Sequence, residues 1–203
     1  MWYWQNNHSN GRSWIKNDRF RRLLAEAKSK AGDNSKIKWI EADCTNFDLK
    51  QKFDLIFMTG NSLQHLHLSN QVLAFFSCVN RHLDIGGVFA FDVFLPSLKI
   101  LSRDSSISFP VLKYKNIEDL EISLNEQNYY NSHTQVNTIN WNHLDSSGTI
   151  LKNDTLEMRQ FFPKELDLLV ELGGFSIEQK YGNWNLEPDG PDDFKQIMVL
   201  KAK

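Results

Sequence analysis

The chain has 203 residues, 41% of them hydrophobic and 24% charged, with a formal net charge of −2. That length suits one domain burying about 70% of the surface its unfolded chain exposes. The charge balance lacks the basic excess of a nucleic-acid groove, so Arg19, Arg21 and Arg22 read as a solvated helix face and no nucleic-acid partner is expected. Two isolated cysteines, Cys44 and Cys78, point to reduced thiols rather than a disulfide framework. The start MWYWQNNHSNGR lacks the basic residues and apolar run of a signal peptide, and no stretch reaches the roughly 18 apolar residues of a membrane span. A cytoplasmic protein with no membrane partner is expected, which leaves the Asn-x-Ser/Thr triplets at Asn7 and Asn153 as chance matches.

Residues 1–17 are polar and aromatic with no clear period, although Ser13 to Asn17 make a poor strand. Residues 19–31 are strong helix formers, with Phe20, Leu23, Leu24 and Ala27 on one face and Gly32 as the stop. Strands are predicted over 36–41 and 53–58. A second amphipathic helix over 68–83 turns Val72, Phe75, Phe76 and Val79 inward, with Ser69 as its N-cap. Asp84-Ile85-Gly86-Gly87 turns the chain into a strand at 87–93. This alternation implies a parallel sheet with right-handed crossovers.

From Phe109 the pattern changes to the alternation of antiparallel strands, with Asp145-Ser146-Ser147-Gly148 as a hairpin turn. Three or four such strands are predicted over 109–160. A helix over 163–172 starts on Pro163 and stops at Gly173-Gly174. Two closing strands, FSIEQKYGNW and DFKQIMVLKAK, are close enough in sequence to pair antiparallel at one sheet edge.

The strand ends carry the functional signal. The apolar runs Ile37–Ile40, Leu55–Met58 and Val88–Phe91 are followed at once by Asp43, by Thr59, Asn61 and Ser62, and by Asp92. In open α/β sheets the ligand crevice lies outside the carboxyl ends of the strands, so polar groups placed there repeatedly indicate a site.

From about residue 18 onward this order resembles the class I S-adenosylmethionine-dependent methyltransferases. EADCTNFDLKQKFDLIF is similar to the family's third strand, acidic loop and fourth strand. NRHLDIGGVFAFDVF is similar to the helix, Gly-Gly turn and fifth strand, and RQFFPKELDLLVELGGFSIEQKYGNW with QIMVLKAK to the last helix and terminal hairpin. The insertion at 109–160 and the ending Tyr-Gly-Asn-Trp resemble the small-molecule branch, which includes sugar-amine and glycine-type N-methyltransferases. One feature departs from the pattern. The family's Gly-x-Gly-x-Gly loop has no counterpart, because Gly11 is the only glycine before Gly32.

The resemblance implies an α/β, Rossmann-like sheet whose first strand is missing or replaced. It implies a single domain over 1–203, in which the antiparallel insertion at 109–160 forms a substrate lid and a C-terminal antiparallel hairpin closes the sheet. The implied activity is methyl transfer from S-adenosylmethionine to an amine or hydroxyl of a small molecule. A non-catalytic relative that has lost the glycine loop and binds a partner or metabolite is the second reading, and a homodimer remains open. For the cofactor the resemblance implies Asp18 at the ribose, Asp43 and Cys44 at the adenine, and Thr59, Gly60 and Asn61 along the cofactor. A turn cap explains Asp43, and a helix cap Asp18, equally simply. His65 matches a histidine near the substrate nitrogen, where an imidazole can take the proton an amine must lose. Arg159, Tyr181 and Trp184 would face the same mouth, with Tyr129, Tyr130 and Trp141 in the lid. His65 and His67 lack the acidic or thiolate companions of a metal site, so no metal is expected.

Overall fold

In the computed structural model, residues 3–4, 25–32, 37–190 and 192–203 are described. Asp18, the segment 13–17 and the first part of the helix predicted over 19–31 lie outside them; the helix is present over 25–31 (α1). The chain then runs β2 (Glu41–Ala42), β3 (Phe53–Met58), a 3-10 turn (Ser62–His65), α2 (Ser69–His82) and β4 (Leu83–Phe94). It continues through α3 (Leu98–Leu101), β5 (Phe109–Lys115), β6 (Glu121–Asn131), β7 (Val136–Leu144) and β8 (Ile150–Arg159). It closes with α4 (Pro163–Leu172), β9 (Phe175–Tyr181) and β10 (Lys195–Ala202), while Tyr3–Trp4 forms β1.

The α/β sheet has the order β3-β4-β10-β9. Strands β3 and β4 are parallel and joined through α2, whereas β10 runs antiparallel to both β4 and β9. The predicted C-terminal hairpin therefore closes the sheet at the β9 edge. Apolar residues at helical spacing on α2 (Val72, Phe75, Phe76, Val79) bury one stripe against β4. Phe75, Phe76, Phe89, Phe91 and Phe175, none more than 2% exposed, form the centre of the core. Phe76 meets Phe89, Phe91 and Phe175 at centroid distances of 6.2, 6.1 and 5.8 Å.

Three details differ from the sequence reading. Where a strand was expected over 36–41, the described residues form one over Glu41–Ala42, paired in parallel with Tyr3–Trp4. The strand expected at 87–93 starts at Leu83, and the register between Phe53 and Leu55 shifts to absorb the extra residues, with Gly86 at φ +76°. Ser69 does not cap α2. Leu68 holds the cap position and its N–H donates to Gln71 Oε1 at 3.1 Å, while Ser69 Oγ accepts from Arg159.

Among the described residues β3 pairs only with β4 and ends the sheet. Its side chains alternate accordingly. Ile56 and Met58 are 8% and 5% exposed against the core, whereas Leu55 and Phe57 are 56% and 53% exposed on the other face.

The α4 stop is set by packing as well as by turn geometry. Gly174 takes φ +84°, the left-handed conformation that ends helices at glycine. Gly173 has an ordinary φ, but a Cβ there would stand 2.6 Å from Phe76 Cδ2 in the fully buried core. Gly173→Ala should therefore cost about 1–3 kcal/mol as an overpacked site, read as a melting temperature lower by several degrees. An unchanged melting temperature would contradict this packing.

The insertion is a four-stranded antiparallel meander in the order β5-β6-β7-β8. Its β7–β8 turn is built by Asp145, whose Oδ1 accepts from the N–H groups of Ser147 and Thr149, both at 2.9 Å.

Candidate functional site

Gln64, fully buried, ties the two sheets together. Its Nε2 donates to the Arg159 carbonyl at 2.8 Å, and its Oε1 accepts from the Phe94 N–H at 3.2 Å. Gln196 makes a second tie, donating to the Phe161 carbonyl at 2.8 Å. Between the sheets lies a cavity of about 1000 Å³ at the carboxyl ends of β3 and β4. Gly60, Asn61, His65 and Phe94 form its α/β wall; Glu126, Asn128, Asn137, Ile139, Trp141, Met158 and Gln160 form the wall from the antiparallel sheet. Strand parity explains the second wall. Glu126 faces Trp141 and Asn128 faces Ile139 in register, so alternate residues of β6 and β7 share one face.

The α/β wall is held by a buried cluster. After β3 the chain turns through two left-handed residues, Gly60 (φ +74°) and Asn61 (φ +59°). Asp92, 1% exposed near the end of β4, accepts the Gly60 N–H through Oδ1 at 2.9 Å. Its Oδ2 pairs with Lys195 at 2.5 Å, and the same ammonium donates to Asn61 Oδ1 at 2.7 Å while lying 4.4 Å from the Phe94 ring centroid. One ion pair thereby fixes both the backbone and the side chain of the corner that lines the cavity.

His65 ends the 3-10 turn that follows this corner. Burial holds its imidazole below the usual value of 6.5; a hydrogen bond to the Glu157 backbone opposes that shift, and neighbouring His67 adds to it. A depressed value keeps the ring neutral at neutral pH, in the form that accepts a proton.

The predicted residues divide between this cavity and other places. Gly60, Asn61 and His65 come together in one wall, and Trp141 lies in the wall opposite. Thr59 is exposed, its carbonyl accepting from Ser62 Oγ at 2.7 Å. Asp43 follows β2 and caps its own turn, with Oδ1 accepting from the Thr45 N–H and hydroxyl, both at 2.8 Å. Cys44 is 3% exposed, and burial pushes its thiol up to about 12, so it is no nucleophile. Tyr130 stands opposite Asn137 in the β6–β7 register, its hydroxyl value raised by burial and by the Glu165 carboxylate. Arg159 lies on the far face of the sheet from His65. With His67, Tyr129 and Glu157 it lines a separate cavity of about 600 Å³, and its guanidinium bonds Glu165 at 2.5 Å and Ser69 at 3.1 Å. Tyr181 pairs with Ile197, and Trp184 is 57% exposed with its ring 6.0 Å from Lys195 Nζ.

Lys195, Glu126, Asn128 and Asn137 were not singled out by sequence reasoning. The available signal was weak: Glu126, Asn128 and Asn137 share one strand face with the apolar Ile139 and Trp141. Among the described residues no group of three His, Cys, Asp or Glu could hold a metal ion, and no helix is long and apolar enough to cross a membrane.

A family model described as a methyltransferase domain matches residues 3–91. Among solved structures, an S-adenosylmethionine-dependent methyltransferase from Clostridium acetobutylicum is 20% identical with a TM-score of 0.71, over 90% of this chain and 72% of that one. The CcbJ methyltransferase from Streptomyces caelestis is 19% identical with a TM-score of 0.74, over 91% and 70% of the two chains. CalS10, an amino pentose methyltransferase from Micromonospora echinaspora, is 14% identical with a TM-score of 0.66, over 90% and 71%. A search of curated proteins finds no match.

Proposed function

We propose that this chain is a class I S-adenosylmethionine-dependent methyltransferase, a reading supported by the domain matched over residues 3–91 and by the fold, and that it methylates an amine or hydroxyl of a small molecule held between its two sheets. The observation that carries this reading is the placement of His65 beside the Gly60–Asn61 corner, in the wall of the cavity that the antiparallel sheet covers. The insertion at 109–160 would then serve as the substrate lid of a single domain.

The residues present fit the sulfonium-bearing part of the cofactor. Glu126, Asp192 and Asp193 line the cavity, and although Arg103 pairs with Glu126 the two aspartates leave the lining negative, which favours a cation. Gly60 and Asn61 would lie along the cofactor, with Asp43 and Cys44 toward the adenine and Asp18 assigned to the ribose. When bound, S-adenosylmethionine supplies a methyl group on a positively charged sulfur, open to in-line displacement. The protein's part is to place the acceptor atom, exclude water and take up a proton. Neutral His65 takes the proton from the acceptor as its new bond to carbon forms. Phe94, Ile139 and Met158 keep the surroundings apolar, and the Asp92–Lys195 pair holds the 60–61 corner in place. Tyr130, Arg159, Tyr181 and Trp184 remain proposed substrate contacts; Arg159 would have to act from the far face.

Calorimetric titration with S-adenosylhomocysteine tests this function. Saturable heat at micromolar to low millimolar ligand is expected. No heat at millimolar ligand contradicts the methyltransferase reading and favours a binding module.

A further inference from the structure

The cavity wall contributed by the antiparallel sheet contains an amide whose orientation is dictated by a charge. Glu126 can only accept hydrogen bonds when ionised. Its Oε2 accepts from Trp141 Nε1 at 2.9 Å, its Oε1 accepts from Asn128 Nδ2 at 2.7 Å, and the Arg103 guanidinium forms an ion pair with it at 3.5 Å. The carboxylate thus draws the amino group of Asn128 toward itself and turns Asn128 Oδ1 toward Asn137. Asn137 Nδ2 donates to that oxygen at 2.9 Å. With its amino group committed, Asn137 points its own oxygen elsewhere, and Oδ1 is buried with no hydrogen-bond partner among the described residues. Flipping Asn128 would set its oxygen against the carboxylate and its amino group against that of Asn137, and flipping Asn137 would bring two amide oxygens together, so the stranded atom is an acceptor and not a donor. Asn137 is 3% exposed and lines the cavity. Stranding such an atom destabilises the empty protein, and a ligand that donates to it relieves that cost.

Resting on the proposed function, we infer that Asn137 Oδ1 and Glu126 form an acceptor-only subsite for the methyl acceptor. The subsite takes a hydroxyl or ammonium group of the substrate and rejects carboxylates and phosphates. Ile139, Leu156 and Met158 on the same wall supply an apolar surface for the carbon skeleton bearing that group. The substrate class that fits is an amino alcohol with an apolar ring face. Its anionic counterpart would set charge against Glu126 and a lone pair against Asn137.

Two probes with one skeleton separate these cases: trans-2-aminocyclohexanol and trans-2-hydroxycyclohexanecarboxylate. Each is titrated into the full chain, with and without S-adenosylhomocysteine, following the Trp141 indole N–H by NMR. The amino alcohol should bind at least roughly tenfold more tightly than the carboxylate. Asn137→Leu should lose roughly tenfold in amino-alcohol affinity with S-adenosylhomocysteine affinity unchanged, the scale of one stranded partner. Glu126→Gln keeps the shape but frees the amides to flip, so it should narrow the discrimination between the probes. Equal binding, preference for the carboxylate, binding of neither probe at tens of millimolar, or unaltered discrimination in both variants would each overturn the subsite. A failure to bind S-adenosylhomocysteine would count against the methyltransferase reading instead, while the titrations without it still decide the subsite.

Discussion

His65→Ala should lower turnover by roughly 10²-fold or more, the usual contribution of a positioned general base, while leaving S-adenosylhomocysteine affinity nearly unchanged. The separation follows from position, since His65 lies in the cavity wall beyond the Gly60–Asn61 corner. The pH profile carries a second signature. Burial depresses the imidazole value below 6.5, so the neutral, proton-accepting form persists to lower pH than for an exposed histidine. The acid limb of kcat should therefore fall below pH 6.5 in the wild type and disappear in His65→Ala. Full turnover at saturation in the variant, or loss of cofactor binding instead, would remove His65 from the role of base.

Lys195→Met should be the most destabilising single change in the site. It leaves the Asp92 carboxylate, 1% exposed, with the Gly60 N–H as its one remaining donor among the described residues. Breaking a buried pair in this way costs about 3–5 kcal/mol, and for a chain of this size each kcal/mol moves the melting temperature by about 2–4 °C. The companion Asp92→Leu/Lys195→Met double variant strands no charge and should recover much of the loss. It should also raise KM for the cofactor more than it lowers kcat, because the 60–61 corner loses its tether while His65 stays in place. Single variants within about 1 kcal/mol of wild type would show that the pair does not hold this corner.

The parts of the fold that were legible in the sequence are those where burial and period coincide. Residues 53–58, 69–82 and 163–172 carry apolar residues at spacings that only one type of element can bury, and each appears close to where it was expected. The terminal hairpin was legible because Phe175–Tyr181 and Lys195–Ala202 are close in sequence with only a loop between them. Residues 36–41 misled because their apolar content suggested a full strand, whereas among the described residues only Glu41–Ala42 pairs. The site divided along a similar line. Asn61 could be found because open α/β sheets place ligands at strand ends, and Gly60 and His65 because the resemblance to a methyltransferase family implied them. The opposite wall could not, since Glu126, Asn128 and Asn137 form no motif and gain meaning only from cross-strand register. Arg159 shows the same limit from the other side: Met158 and Gln160 line the cavity, and parity alone carries the residue between them to the far face.

On the proposed function, methyl transfer takes place in the cavity between the α/β sheet and the antiparallel sheet. S-adenosylmethionine labelled with ¹³C at its transferable methyl, bound to the full chain, tests this through intermolecular nuclear Overhauser effects. The prediction is contacts from that methyl to the His65 ring and to the ε-methyl of Met158, which lie in the two walls of the cavity. A bound cofactor whose methyl shows no contact to either residue would contradict it.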